Sequence, residues 1–187
     1  MPHSFFAYIS RMRYISRWGL MRNTLPENVQ EHSHMVAVLA HALAVISRDI
    51  FGNHIDPGAV AACALYHDAP EIFTGDLPTP VKYFNPEIRA AYRKVEENAT
   101  AQLLDTLPDA LKPAYTALLS ENESAFVFAA DKLSAYLKCV EELKAGNREF
   151  QSAADQTFAA LQQFHLPELT YFMDEFLPPF SLTLDDL

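Results

Sequence analysis

Glu27-Asn28-Val29-Gln30-Glu31-His32-Ser33 opens the stretch that decides the fold, and the pattern it starts runs on through Val36, Leu39, Leu43, Ile46 and Ile50. From Val29 to Ile50 the apolar side chains recur at alternating steps of three and four, the period of a helix with one buried stripe. His32 belongs to that stripe. Just upstream, Thr24-Leu25-Pro26-Glu27 predicts a capping box, with a hydroxyl at the N-cap and a carboxylate three residues on, so a helix is expected from there to about Ile50.

Working outward, proline and glycine cut the rest of the chain into helix-length pieces, and nowhere does a strand-like alternation sit between hairpin turns. The expected fold is all-α, a single-domain helical bundle over residues 1–187 with its core at about 4–177. A first helix is predicted from about Ser4 to Trp18. Asp56-Pro57 pairs an N-cap with proline at the first helical position, which predicts a helix to about Ala69 with the stripe Val60, Ala64, His67 and Glu71. Gly75, Pro78 and Pro80 make 70–85 a loop with a few turns. Asn85-Pro86 repeats the cap signal and predicts a helix to about Leu107, and Pro108 a shorter one to about Ser120. A long helix is expected from about Glu123 to Ala145, stopped by Gly146. Two more are expected near Arg148–Phe164 and Pro167–Leu177, before a polar tail.

Composition sets limits on function. The chain has 187 residues, half of them apolar and a fifth charged, which excludes a disordered chain and suits one core. Its 14 Lys and Arg stand against 24 Asp and Glu, a formal net charge of −10, which opposes a nucleic-acid polymer as partner. A small anion remains compatible, because one arginine or one metal outweighs a distant field. Cys63 and Cys139 lie in apolar helical stretches and read as two buried thiols of a reducing compartment. The start lacks the features of a signal peptide and no stretch is long and apolar enough for a membrane span, so the expected location is cytoplasmic, with no membrane partner.

The residues that carry chemistry are a histidine, a histidine-aspartate pair and a lone aspartate, each on the apolar side of a different predicted helix: His32, His67, Asp68 and Asp131. Asp131 follows Ala125-Phe126-Val127-Phe128-Ala129-Ala130, and a carboxylate left unpaired in such surroundings would cost several kcal/mol. It needs a cationic neighbour. Lys132 points about 100° away around a helix and is a poor candidate, whereas a divalent ion shared by imidazoles and carboxylates suits the set. Glu71, four residues past His67 and three past Asp68, falls on the same face if helical turns continue beyond Pro70. A carboxylate there sits beside an ion without ligating it, the place of a general acid or base. Each residue alone also reads as ordinary structure: a core histidine bonded to a carbonyl, or a helix-end arginine beside a core aromatic for Arg17 and Trp18. The combination favours a site. His34 and His41 lie off the stripe and are expected to be solvated, and His3, His54 and His165 sit near predicted element ends.

Longer runs surround these residues: Ser16-Arg17-Trp18, Leu20-Met21-Arg22-Asn23, Tyr66-His67-Asp68-Ala69-Pro70-Glu71, Thr74 to Phe84, and Ala130-Asp131-Lys132-Leu133-Ser134-Ala135-Tyr136-Leu137-Lys138-Cys139. Over nearly its whole length the chain resembles HD-domain phosphohydrolases, and among them the bacterial 5′-deoxynucleotidases. Pro70 departs from the pattern, which has a small non-proline residue there. The resemblance implies that His32, His67, Asp68 and Asp131 bind one divalent ion, with Glu71 as the acid/base. It implies that Arg17 orients a phosphate, that Trp18 packs near the sugar and disfavours a 2′-hydroxyl, and that Asp76, Leu77, Pro78 and Thr79 line the nucleoside, Asp76 near the 3′-hydroxyl. Asp68 and Asp131 would also face the substrate. No histidine occurs between Asp68 and Asp131, which argues for a mononuclear site. The nitrogen and oxygen donors admit cobalt, manganese, zinc, iron or copper, and magnesium less readily.

The expected reaction is metal-dependent hydrolysis of deoxyribonucleoside 5′-monophosphates by in-line attack of water on phosphorus, with Glu71 managing the proton and Arg17 balancing charge. The alternatives are a deoxynucleoside triphosphate triphosphohydrolase and a non-catalytic nucleotide-binding helical protein. The resemblance also implies a homodimer, for which Leu169 to Phe176 is a candidate interface and equally a candidate piece of core.

Overall fold

The computed structural model describes residues 3–82, 84–120 and 124–187. Tyr83, at the edge of one motif, and Glu123, the expected start of the long helix, lie outside the described residues. Among those described there are helices and one isolated antiparallel bridge, Ser16 with Asn28, but no strand. The all-α expectation is met.

The central element is α2, Val29–Asp49, after the short α1, Phe5–Ile9. Val29, His32, Val36, Leu39, Leu43 and Ile46 are buried as the stripe required. Ile50 lies just past the last turn and is exposed. The capping box at its start is Asn28 with Glu31, not Thr24 with Glu27: Asn28 accepts from the Glu31 amide at 3.0 Å and Glu31 from the Asn28 amide at 3.2 Å. Thr24 is claimed by a distant partner, the Glu142 carboxylate, which its amide reaches at 3.0 Å.

Around α2 pack α3, Pro57–Tyr66; α8, Ala125–Lys144; and α10, Pro167–Phe176. Their shared core includes Leu43, Ala64, Val127, Leu133, Leu137, Leu169 and Phe172, each large side chain contributing about 1.5–3 kcal/mol by burial. Leu169 and Phe172 therefore bury their apolar area in this chain's own core. Between α3 and α8 come α4, Glu71–Thr74; α5, Thr79–Lys82; α6, Pro86–Leu104; and α7, Lys112–Ser120. A 3-10 turn at Arg148–Phe150 leads into α9, Gln151–Gln162, which packs on α8. The other expected caps are present: Asp56 accepts from Gly58 and Ala59, Asn85 accepts from Ile88, and Gly146 takes a positive φ of 85° after α8. Cys63 and Cys139 are buried and are not joined in a disulfide. No helix among the described residues is long and apolar enough to cross a membrane.

The expected first helix to Trp18 ends early. After α1 the chain tightens into a 3-10 turn over Ser10–Tyr14, and Ile15 is extended. Residues 15–17 instead pair with 27–29: Arg17 donates to the Glu27 carbonyl and Val29 to the Ile15 carbonyl, both at 3.0 Å. That pairing brings Arg17 and Trp18 to the N-terminal end of α2.

Candidate metal centre

His32 enters the site from the first turns of α2, while His67 caps α3 and Asp68 starts the turn after it. Their donor atoms lie within 4.8 Å of one another. His67 Nε2 is 3.2 Å and His32 Nε2 3.6 Å from the same oxygen, Asp68 Oδ2. Asp131, from the second turn of α8, stands beside this group rather than inside it, with Oδ1 at 3.1 Å from His32 Nε2. It is 23% exposed, less enclosed than the sequence suggests. Lys132 also reaches it, Nζ to Oδ2 at 3.0 Å, contrary to the expectation from helix geometry: a four-carbon stem curls back where the backbone direction alone would not lead.

The donor set fits a divalent ion. His67 Nδ1 is 2.7 Å from the Ala64 carbonyl, which only accepts, so Nδ1 carries a proton and Nε2 is the nitrogen that faces Asp68. His32 Nδ1 is 3.1 Å from Ser134 Oγ, leaving its Nε2 for the centre. A ring held through one nitrogen while the other faces carboxylates is the usual support of a metal-ligating histidine. The electrostatics agree. Burial alone would push Asp68 and Asp131 up, but His67 and His32 hold the first, and His32 and Lys132 the second, well below the usual carboxylate range. His67 is raised despite burial, chiefly by Asp68. A proton on the His67 imidazole supplies positive charge that an ion would bring, so binding one should release it.

Glu71 is buried at the start of α4, and its amide donates to the Asp68 carbonyl at 3.0 Å. Turns do continue past Pro70, whose φ of −58° and ψ of −24° are helical. Burial, with Asp68 and Asp76 nearby, pushes the Glu71 carboxyl up to about 10, while Arg17 and Lys82 pull the other way. Gly75, at φ 71°, then turns the chain into Asp76, whose carboxyl is also raised by burial. Beyond it Leu77 and Pro78 are half-buried and Thr79 is exposed at the start of α5.

Arg17 closes the other side. Its Nη1 is 3.5 Å from Asp68 Oδ2, and its Nε donates to Glu27 Oε2 at 3.1 Å. Burial works against its charge, but Asp68, Asp131, Glu27 and Asp76 together more than offset this, so it stays protonated. Trp18 adopts φ 59°, a left-handed conformation that strains a bulky residue by about 1–3 kcal/mol. Its carbonyl accepts from the Met21 amide at 2.9 Å and Asn23 Nδ2 at 3.3 Å, and its ring packs 5.3 Å from that of Phe150.

Three residues that could hold a metal ion and Arg17 are thus brought together, with Asp131, Glu71 and Asp76 around them. A family model described as "5'-deoxynucleotidase YfbR-like" matches residues 4–180. The chain belongs to this YfbR-like 5′-deoxynucleotidase family, and it is an enzyme. It is 50% identical to a 5′-deoxynucleotidase of Erwinia tasmaniensis, covering 100% of this chain and 98% of the relative. It is 48% identical to a 5′-deoxynucleotidase of Vibrio cholerae, over 98% and 97%. Among solved structures, an HD-domain phosphohydrolase from Listeria innocua superposes with a TM-score of 0.84 at 27% identity, covering 95% of this chain and 88% of that one. The fold is also shared with a cyanophage S-2L HD phosphohydrolase bound to dA and one catalytic zinc ion, at TM-score 0.60, 21% identity, and 95% and 96% coverage.

Sequence reasoning missed two contributors. Ser134 is one helical turn after Asp131 and faces the same way, a spacing that points to it once Asp131 is chosen. Glu27 was assigned to a cap it does not form. No local pattern marks its side chain as the acceptor of both Arg17 and Trp18.

Proposed function

We propose that this YfbR-like enzyme hydrolyses deoxyribonucleoside 5′-monophosphates to deoxyribonucleoside and orthophosphate at the His32, His67, Asp68 and Asp131 centre. The observation that carries the reading is the placement of Arg17. A guanidinium within 3.5 Å of a metal-ligand carboxylate offers a planar fork to phosphate oxygens at the edge of the donor group. A divalent ion held by His32, His67, Asp68 and Asp131 would supply Lewis acidity for the hydrolysis.

The chain's own residues do the rest. Arg17 binds the phosphate and balances the charge that develops as water attacks in line. Glu71, beside the donors but not one of them, moves the proton. Trp18 and Asp76 meet the sugar, and Leu77, Pro78 and Thr79 line the way to the base. Cobalt or manganese suits the mixed donors.

Protein stripped of metal by a chelator should release no orthophosphate from dAMP or dTMP, and added Co²⁺ or Mn²⁺ should restore it. Full activity of the stripped protein would refute the reading. Triphosphate released from deoxynucleoside triphosphates would mark a triphosphohydrolase instead, and bound metal without turnover of any nucleotide a binding protein. Trp18→Ala should narrow the preference for dAMP over AMP by about tenfold, as expected when one discriminating contact of 1–3 kcal/mol is lost. An unchanged ratio would place selectivity elsewhere.

A further inference from the structure

We propose that Glu27 is a positioning residue that fixes Arg17 and Trp18 as one unit, so that a single carboxylate governs both phosphate anchoring and sugar discrimination. This rests on the deoxynucleotidase reading above.

One oxygen, Glu27 Oε2, accepts from Arg17 Nε at 3.1 Å and from Trp18 Nε1 at 3.1 Å. Arginine carries five N–H donors in a rigid fork. Holding Nε from behind leaves the terminal nitrogens directed at the donor group, where Nη1 approaches Asp68. The indole has a single N–H, and Glu27 takes it, which sets the rotation of the ring about its own side chain. Glu27 is itself well anchored. Its carbonyl accepts the Arg17 amide, its neighbour Asn28 caps α2, and its side chain is only 16% exposed. The two residues it holds are adjacent in sequence, with Trp18 in the left-handed region, and their side chains meet at this one oxygen. A shared acceptor therefore correlates two side chains that the backbone alone would leave independent. Charge matters because a glutamine oxygen could take the same place between the two donors, but it would lose the ion pair with the Arg17 guanidinium and accept both bonds about half as strongly.

The test uses the full chain and Glu27→Gln, which keeps the size and removes the charge. In the metal-loaded enzyme kcat/KM for dAMP should fall by about tenfold or more, mainly through KM, as for loss of a hydrogen bond to a charged group. The dAMP-to-AMP ratio should narrow in the same variant. Trp18 is the only tryptophan of the chain, so its emission reports on this contact without turnover, and the metal-free variant should show a shifted or altered emission. Trp18→Phe removes the same hydrogen bond from the other side and should narrow the ratio too. In a Trp18→Phe background, Glu27→Gln should then leave the ratio as it is.

Unchanged emission and an unchanged dAMP-to-AMP ratio in Glu27→Gln would overturn the proposal, as would a selectivity effect of equal size in the Trp18→Phe background. Should Glu27→Gln fail to fold, full discrimination retained by Trp18→Phe would overturn it by itself. Failure of the wild-type enzyme to act on dAMP would instead refute the function reading, and the emission of Trp18 would still decide whether Glu27 holds it.

Discussion

Glu71→Gln should lower kcat for dAMP by about 10²–10⁴-fold, the usual contribution of a positioned general acid or base, while metal binding stays intact. The expectation comes from two facts. Glu71 is buried with its amide bonded to the Asp68 carbonyl, and its carboxyl is pushed up to about 10 by burial and by Asp68 and Asp76. A group so placed holds a proton in the metal-free protein. Positive charge restored at the donors draws it back toward ionisation, where it serves proton transfer near neutral pH.

Stability separates this role from a structural one. A carboxyl whose folded pKa exceeds its unfolded value contributes stability that is fully present below the ordinary carboxylate range and lost as pH rises toward about 10. Metal-free wild-type protein should therefore weaken with rising pH through this group, and glutamine, which does not titrate, should remove that slope. Thermal denaturation of metal-free protein at pH 8 should find Glu71→Gln at least as stable as wild type. Near-normal phosphate release by the variant would take Glu71 out of the reaction, and loss of bound metal would make it a ligand instead of an acid/base.

The parts of this architecture that could be read in the sequence are those set by neighbours along the chain. The α2 stripe with His32 inside it, the Asp56-Pro57 and Asn85-Pro86 caps and the stop at Gly146 are local, and each is where the pattern put it. Helix faces then bring His32, His67 and Asp68 into one group. Residues 15–28 could not be read this way. Their course depends on backbone pairing across a turn and on Glu142, more than a hundred residues on, so Thr24 looks like a cap and serves as an anchor. Lys132 escaped for a different reason: helical angle describes where a side chain leaves the backbone, not where a long stem delivers its charge.

That anchor supports the second large expectation. Glu142 is fully buried on α8, one turn from Lys138, which is 3% exposed and is its ion-pair partner. The carboxylate also accepts from the Thr24 hydroxyl, the Thr24 and Leu25 amides at 3.0 Å each, and Asn147 Nδ2 at 2.8 Å. Lys138 donates onward to the Leu25 carbonyl, and Asn147 Nδ2 to that of Arg22 at 2.7 Å. Glu142→Ala leaves a buried ammonium without its counter-ion and the Thr24 and Leu25 amides without their acceptor. Breaking such a pair from one side costs about 3–5 kcal/mol. For a protein of this size that is a fall in Tm of roughly 6–20 °C.

Replacing both charges, Lys138→Met with Glu142→Leu, should recover part of this but not all. The apolar pair removes the stranded ammonium, yet the Thr24 and Leu25 amides stay unpaired, so the double variant should sit between Glu142→Ala and wild type. A double variant as unstable as Glu142→Ala would mean that the amides, not the ion pair, hold the segment. The pH dependence has the opposite sign to that of Glu71. Burial raises the Glu142 carboxyl, but Lys138, Thr24, Asn147 and Leu25 together hold it well below its ordinary value. Its contribution is therefore complete above the usual carboxylate range and is lost as pH falls below it. Glu142→Gln should flatten the acid limb of the stability curve, and an acid limb as steep as in wild type would exclude Glu142 as its source. Because this network clamps 22–25 to α8, the same acidification should loosen the segment that carries Arg17 and Trp18, and their grip on substrate should weaken before the core of α2, α3 and α8 unfolds.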